Sequence, residues 1–233
     1  MKPAPDVIIV ALEGCHGCGK TTLCNAFAAQ GYDILDEGFL DMASYSLHPQ
    51  SLLMETSWVC SWFTRVLRIA EHATPGRKRI YIADRSPFSS VLYSAHGHLL
   101  EPVIREQMRE VQDFTNVQIY TVLVQVEPER LWRRICTRLK QEPKRLHLKE
   151  RNRDWMEETI AFYDNFKWDL TVTTNEDSVD TIVTRISRLI SAPCERTLPC
   201  RKIRHSPSVS STLSTDSECD SAEEEHHVPV ASR

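Results

Sequence analysis

No stretch of the 233 residues approaches the roughly 20 consecutive apolar residues that a bilayer-spanning helix needs, which argues against a membrane protein. The sequence also lacks an excess of positive charge. Its net charge of −4 and pI near 6.1 exclude a general nucleic-acid binder, which would be basic. The N-terminus, with Lys2 and two prolines ahead of an apolar run, lacks the form of a secretory signal, so a cytoplasmic location is expected. No second CxxC and no HxxxH accompanies Cys15-x-x-Cys18, so a closed metal site cannot be completed. The eight cysteines are scattered, and reduced thiols tolerated as small residues are the expectation. There are no internal repeats, and no Lys or Arg occurs from Thr21 through Thr64. At 41% hydrophobic composition the chain can bury one sizeable core, or one domain with an appendage.

What is present is concentrated near the start. Gly14-Cys15-His16-Gly17-Cys18-Gly19-Lys20-Thr21 fits G-x-x-x-x-G-K-[ST], the pattern of a phosphate-cradling loop. The apolar, β-branched run Val7–Leu12 before it reads as a strand buried on both faces. Leu23, Ala26 and Phe27 after it recur at helical spacing. In such a turn, backbone N–H groups and the free N–H groups of the first helical turn converge on an anion. The pattern predicts a bound nucleoside triphosphate, with Lys20 bridging its β- and γ-phosphates and the Thr21 hydroxyl holding Mg²⁺.

Strand and helix signals then alternate. A helix from Leu23 to Ala29 is ended by Gly31, and Tyr32–Asp36 reads as a second strand delivering Glu37 to a turn at Gly38. A polar loop with Ser44, Ser46, His48 and Pro49 leads to a helix from Leu52 to about His72, with Leu53, Trp58, Trp62, Val66 and Ile69 on one side. Arg79–Ala83 is a third strand ending in Asp84-Arg85-Ser86, and Pro87 suits the first turn of a helix. A helix over Leu99–Phe114, a strand over Val117–Val124, a basic helix over Glu129–Lys140 and a helix from about Glu150 to Phe166 follow. Leu170–Thr173 is a fifth strand and a last helix runs through Ile182, Ile186 and Leu189. The sum is a three-layer α/β domain with a five-stranded parallel sheet over residues 1–192. Residues 193–233 are Ser-, acid- and Pro-rich and read as a disordered tail, inert or a docking segment, whose basic patch is Arg201–Arg204.

Three features are placed to meet the triphosphate. Asp84 can hold Mg²⁺, and Arg85 can clamp phosphoryl oxygens or the attacking hydroxyl. On the basic helix, Arg130, Arg134 and Arg138 form a stripe with Arg133 and Lys140 beside it. Two unit charges about 6 Å apart at an effective dielectric near 20 repel by roughly 3 kcal/mol. An anion would relieve that, which points to a lid over about 128–150 closing on the γ-phosphate; a solvated basic face softened by Glu129 and Glu142 is the alternative. Glu37 can accept a proton from a hydroxyl attacking phosphorus, with Asp36 as competitor. The cation-free segment favours a neutral acceptor over a nucleoside monophosphate, although Arg65 and Arg68 follow it.

These residues together resemble the deoxynucleoside kinase family (deoxycytidine kinase and mitochondrial thymidine kinase type), within the thymidylate-kinase-like P-loop kinases. Glu13-Gly14 through Lys20-Thr21-Thr22 is similar to its phosphate loop, Asp84-Arg85-Ser86 to its [Asp/Glu]-Arg-Ser motif, and Arg134-Ile135-x-x-Arg138-x-Lys140-x-Glu142 to its lid. Glu37 looks like its catalytic glutamate, which the family follows with Pro where this chain has Gly38. Over residues 6 to about 190 the resemblance implies ATP and Mg²⁺ as cofactors and a small-molecule deoxynucleoside as substrate, with a homodimer left open. It implies that Arg85 contacts the 5′-hydroxyl and that Glu142 reaches the sugar 3′-hydroxyl when the lid closes. The family's base-reading glutamine has no clear counterpart in Leu52–Arg68; Trp58 or Trp62 lining that pocket, and Arg65 approaching the base, are the substitutes considered. The expected activity is transfer of the ATP γ-phosphoryl group to the 5′-hydroxyl of a deoxynucleoside, thymidine first. Lys20, Arg85, Arg134 and Arg138 would stabilise the moving charge and Glu37 would take the proton. Thymidylate kinase activity and a nucleotide-dependent scaffold are the rival readings.

Overall fold

The architecture follows from β1 (Val7–Glu13), whose seven residues are all buried. A strand with no exposed position must be central and covered on both faces, as parallel sheets are. Here it lies between β3 (Arg79–Asp84) and β4 (Val117–Gln125), and the five parallel strands run in the order β2 (Asp33–Leu35), β3, β1, β4, β5 (Leu170–Thr173). This computed structural model describes residues 5–38, 47–48, 50–143, 149–175 and 177–191. All of them belong to one unit, Met1–Thr197. The predicted tail at 193–233, the part of the lid at 144–148 and most of the polar loop after Gly38 lie outside the described residues.

The period-two alternation of β1 sorts the core into two layers. Ile8, Val10 and Leu12 pack with α1 (Lys20–Ala29), α5 (Pro128–Gln141), α6 (Arg153–Asp164) and α7 (Val179–Ser191) through Phe27, Ile135, Met156 and Ile186. Val7, Ile9 and Ala11 face α2 (Leu52–Glu71) and α4 (Leu100–Phe114) through Trp58, Trp62, Ile104 and Met108. The three-layer α/β fold expected from the alternating signals is therefore the fold observed. The chain leaves β1 for β2 and β3 on one side and returns for β4 and β5 on the other. That reversal opens a crevice at the carboxyl ends of β1 and β3, where the glycine loop, Glu37 and Asp84-Arg85 emerge. No helix among the described residues is long and apolar enough to cross a membrane.

Several element limits differ from the sequence reading for local reasons. Leu53 is 62% exposed, and Met54 and Glu55 take the buried stripe with Trp58 and Val59 instead. Leu53 lies five residues before Trp58, about 140° around the helix. Leu99 and Phe114, taken as the apolar limits of α4, are also exposed. Pro87 precedes a one-turn helix, α3 (Ser89–Tyr93), rather than opening a longer one. Helix α6 starts at Arg153 because the Asn152 side chain caps it, accepting from Asp154 N at 2.9 Å, and Glu150 falls in a separate 3₁₀ turn. Glu127 caps α5 in the same way, accepting from the N–H groups of Glu129 and Arg130.

Phe27 anchors α1 to the sheet with no exposed surface. Phe27→Ala should lower the unfolding free energy by about 3–5 kcal/mol in urea titrations, with an unchanged m-value.

Candidate phosphoryl-transfer site

The glycine loop connects β1 to α1 and passes close under the end of β4. Gly14 has φ of +139°, and a Cβ there would stand 2.5 Å from the Val124 carbonyl oxygen, so only glycine fits. His16, Gly17, Gly19, Lys20 and Thr21 line a cavity of about 810 Å³ together with Glu37, Asp84, Arg85, the α5 arginines 130, 133, 134 and 138, Glu142 and Glu150. The remaining loop side chains, Cys15 and Cys18, turn away into a smaller cavity behind the loop, between α5 and α6. Their predicted part in nucleotide binding is thus limited to the backbone. Both are free thiols, and burial pushes the Cys15 thiol up to about 12, so it stays protonated and packs as a small apolar group.

Lys20 is buried, with Nζ donating to the carbonyls of Gly14 at 2.8 Å and Cys15 at 3.2 Å. Thr21 Oγ1 donates to Asp84 Oδ2 at 3.0 Å, bringing the two predicted Mg²⁺ ligands together. One hydroxyl and one carboxylate at the rim of a cationic cavity fit a hard divalent ion that draws its other ligands from phosphate and water.

Asp84 is paired with Leu12 in the β1–β3 register, so the turn after β3 begins beside the glycine loop. Here Arg85 takes φ of +81°, the one positive φ at a non-glycine among the described residues. The turn is held by Glu13, which has no exposed surface and accepts from Ser86 N and Ser86 Oγ, both at 2.7 Å, from Ser89 Oγ and from Tyr163 OH at 2.9 Å. Burial first, and then Glu13, raise the Tyr163 hydroxyl well above its ordinary range, keeping it a donor. Trp62 Nε1 donates to the Arg85 carbonyl at 3.3 Å. The Arg85 guanidinium lies over the Tyr93 ring, 5.3 Å from its centroid, and its Nε is 2.8 Å from Glu37 Oε1. Burial opposes its charge, but Tyr93, Tyr163, Glu37 and Glu13 outweigh that and raise it well above the ordinary arginine value.

Glu37 and Arg85 also line a second, smaller cavity of about 160 Å³ with Gln50, Glu55, Trp58, Ser89 and Tyr93. Among the described residues they alone are shared by the two cavities. Trp58 is on the wall of the smaller one, with Nε1 donating to the Glu37 carbonyl at 2.9 Å. Trp62 instead belongs to the core and holds the Arg85 turn. Arg65 lines neither cavity, because its guanidinium is held by the Asp36 carboxylate at 2.9 Å and the Asp36 carbonyl at 3.0 Å. Gly38 follows from its backbone, since φ of +62° excludes the proline of the resembling family. Asp36, the rival base, is engaged by Arg65, away from Arg85.

The α5 stripe is not a row of free cations. Arg134 donates to Thr174 Oγ1 at 2.9 Å and Thr174 O at 2.8 Å, tying α5 to the end of β5; burial and then Arg130 lower its affinity for the proton. Arg138 pairs with Glu150. Glu142, expected to reach the sugar, lines the larger cavity and not the smaller one. Sequence reasoning missed Glu55, Tyr93, Ser89, Thr174 and Glu150. Of these only Ser89 carried a local signal, lying three residues after Ser86 in a motif already singled out.

Two measurements probe this geometry. Glu13→Ala leaves four donors without an acceptor and should cost at least about 3 kcal/mol in urea titrations while weakening nucleotide binding. The second concerns His16, which is 4% exposed and lowered to about 4, chiefly by burial. The unfolded imidazole protonates near 6.5. Between these values the unfolded chain binds more protons, so stability is lost as pH falls. From pH 7 to pH 5 the loss should be about 2 kcal/mol, and His16→Gln should remove that component of the slope.

The family model described as AAA domain matches residues 9–172. No curated protein sequence matches the chain. Among solved structures, a candidate kinase from Chloroflexus aurantiacus is similar at TM-score 0.52 and 17% identity, over 80% of this chain and 98% of that one. The YorR protein of Bacillus subtilis, in complex with phosphorylated GDP, is similar at TM-score 0.50 and 17% identity, over 79% of this chain and 95% of that one. Deoxyadenosine kinase from M. mycoides has TM-score 0.48 and 15% identity, over 78% and 98%. The chain shares its three-layer α/β fold with the Chloroflexus and Bacillus proteins. With the glycine loop, β2 to β4 and most of β1 and β5 inside the matched span, the chain belongs to the AAA domain family.

Proposed function

We propose that the protein is an ATP-dependent kinase that transfers the γ-phosphoryl group to the 5′-hydroxyl of a deoxynucleoside. The observation that carries this reading is that Glu37 and Arg85 are common to a large cationic cavity and a small, mostly apolar one. A phosphoryl donor and an alcohol acceptor need such a meeting point, with a base for the alcohol's proton and a cation for the transferring oxygens. In this reading the triphosphate lies on the glycine loop. Lys20 exchanges its loop carbonyls for phosphate oxygens, and the α5 arginines 130 and 133 approach the γ-phosphate. Arg134 and Arg138 would have to leave Thr174 and Glu150 to do the same, a rearrangement suited to lid closure. Thr21 and Asp84 would hold Mg²⁺, which neutralises charge developing on the phosphoryl oxygens. Glu37 accepts the hydroxyl proton while Arg85 orients the hydroxyl oxygen.

The acceptor cavity supports a neutral acceptor. Among the described residues Arg85 is the one cation lining it, and Arg65 is turned to Asp36, an arrangement that supports an uncharged acceptor over a monophosphate. This favours a nucleoside kinase over a thymidylate kinase. By the resemblance alone thymidine comes first among acceptors, and the residues lining the acceptor cavity decide the base. A cytoplasmic location and a tail that is dispensable for activity complete the proposal.

Assays with labelled ATP and four deoxynucleosides, against thymidine monophosphate, test it. Glu37→Gln should reduce kcat by at least about a hundredfold and leave ATP affinity within about twofold, whereas Lys20→Ala should impair both. An unaltered kcat in Glu37→Gln would remove the base, and phosphorylation of the monophosphate alone would replace the acceptor.

A further inference from the structure

Glu55 stands in the first turn of α2, lines the acceptor cavity and has no part in the transfer chemistry above. It is 2% exposed, and its Oε2 accepts from Ser90 Oγ at 2.7 Å. Among the described residues no lysine, arginine or histidine forms an ion pair with it. A buried carboxyl without a counter-charge costs several kcal/mol when ionised, and one facing a cleft is a candidate for contact with a ligand. Among the described residues the titratable groups facing it are Arg85 and Glu37 at the ends of β3 and β2 and Tyr93 on α3, and Arg85 is already engaged with Glu37. Trp58, one turn further along α2, forms the wall beside it.

We infer that Glu55 reads the base of the acceptor and selects one that presents two adjacent N–H donors, as the N1–H and N2 amino group of guanine do, over thymine. This rests on the nucleoside-kinase reading. An ionised carboxylate can only accept hydrogen bonds. Guanine offers it a parallel pair of donors, and two charge-assisted bonds would offset the burial of its charge. Thymine presents a single N–H flanked by carbonyls, so one carboxylate oxygen would face a lone pair. An amide or a protonated carboxyl in the same place could accept from that N–H and donate to the carbonyl. Glu55 can take either form near neutrality. Burial, the largest influence, raises it to about 7; the Ser90 hydrogen bond and Arg85 lower it, and Glu37 raises it. The carboxylate therefore predominates above pH 7 and the acid below it.

The test measures phosphorylation and equilibrium binding (by quenching of tryptophan fluorescence) of deoxyguanosine and thymidine, for the wild type and Glu55→Gln, from pH 6 to pH 8.5. The wild type should prefer deoxyguanosine, and the preference should grow as pH rises through about 7. Glu55→Gln should weaken deoxyguanosine about ten- to hundredfold, in Kd and KM more than in kcat, improve thymidine, and flatten the pH dependence of the ratio. A wild-type preference for thymidine, or a deoxyguanosine-to-thymidine ratio unmoved by the substitution, overturns the inference. Should the variant fail to fold, the wild-type ratio against pH decides alone, a flat profile counting against Glu55. Glu55-dependent binding of deoxyguanosine without phosphorylation would sink the kinase reading and leave the inference standing. Phosphorylation of thymidine indifferent to Glu55 would do the reverse, and binding of neither nucleoside would end both.

Discussion

The Glu13 carboxylate is the constraint on which the site is built. It ends the most buried strand of the sheet, where an ionisable group is most costly, and it is accommodated because four donors converge on it. Those donors come from three places: the turn after β3, the short helix α3 and the C-terminal end of α6. One carboxylate thus fixes the exit of β3 and seats two helices against the glycine loop that begins at the next residue. The position of Arg85 relative to the loop follows from this knot rather than from any contact Arg85 makes with the loop itself.

Around that point the charge is sharply divided. On the loop side stand Lys20 and the α5 arginines, partly compensated by Glu150 and by the Thr174 oxygens. On the other side the cavity wall is Trp58 and Tyr93 with two carboxyls, Glu37 and Glu55. A polyanion and an uncharged alcohol would be sorted to opposite sides by electrostatics alone, before any shape is considered. The Glu37–Arg85 pair sits at the division. Its exposure is uneven: the Glu37 side chain is 47% exposed and that of Arg85 11%. The carboxylate is therefore the partner more easily lent to a substrate hydroxyl, while the guanidinium stays fixed.

Much of this was legible in the sequence because it depends on short-range patterns. The unbroken apolar run of β1, the glycine loop and the long apolar strand β4 each declare themselves within a few positions. Asp84 meets Thr21 for a reason the strand order already implies, since both lie at the carboxyl edge of adjacent strands. What was illegible depends on partners distant in sequence. Arg134 has the spacing of a phosphate ligand, and nothing local says that Thr174, forty residues on, occupies its fork. Arg65 follows the cation-free segment and is drawn to Asp36, twenty-nine residues earlier. Glu55 was passed over because an acid in a first helical turn ordinarily serves the helix dipole, and only the packing of α2 on α3 reveals that it is buried. Leu53 was misplaced by one step of a periodic pattern, an error that hydrophobicity cannot correct where Leu and Met are adjacent.

The backbone of Arg85 joins these threads. A side chain bearing Cβ at φ of +81° costs of order 1–3 kcal/mol, and it persists only where its surroundings over-determine it. Here they do: Glu13 holds Ser86 on one side, and the Trp62 indole holds the Arg85 carbonyl on the other. An ordinary backbone angle at this residue would turn the guanidinium away from the crevice shared by the two cavities. The strain is therefore the means by which a strand that should run straight past the glycine loop instead aims a fixed positive charge across it. A charge aimed in advance need not reorganise when negative charge develops beside it, and in a low-dielectric crevice that is the larger part of what an arginine can contribute. The burial of Glu13, unfavourable by itself, is offset by the four donors it collects, and the turn they hold is the one that places Arg85.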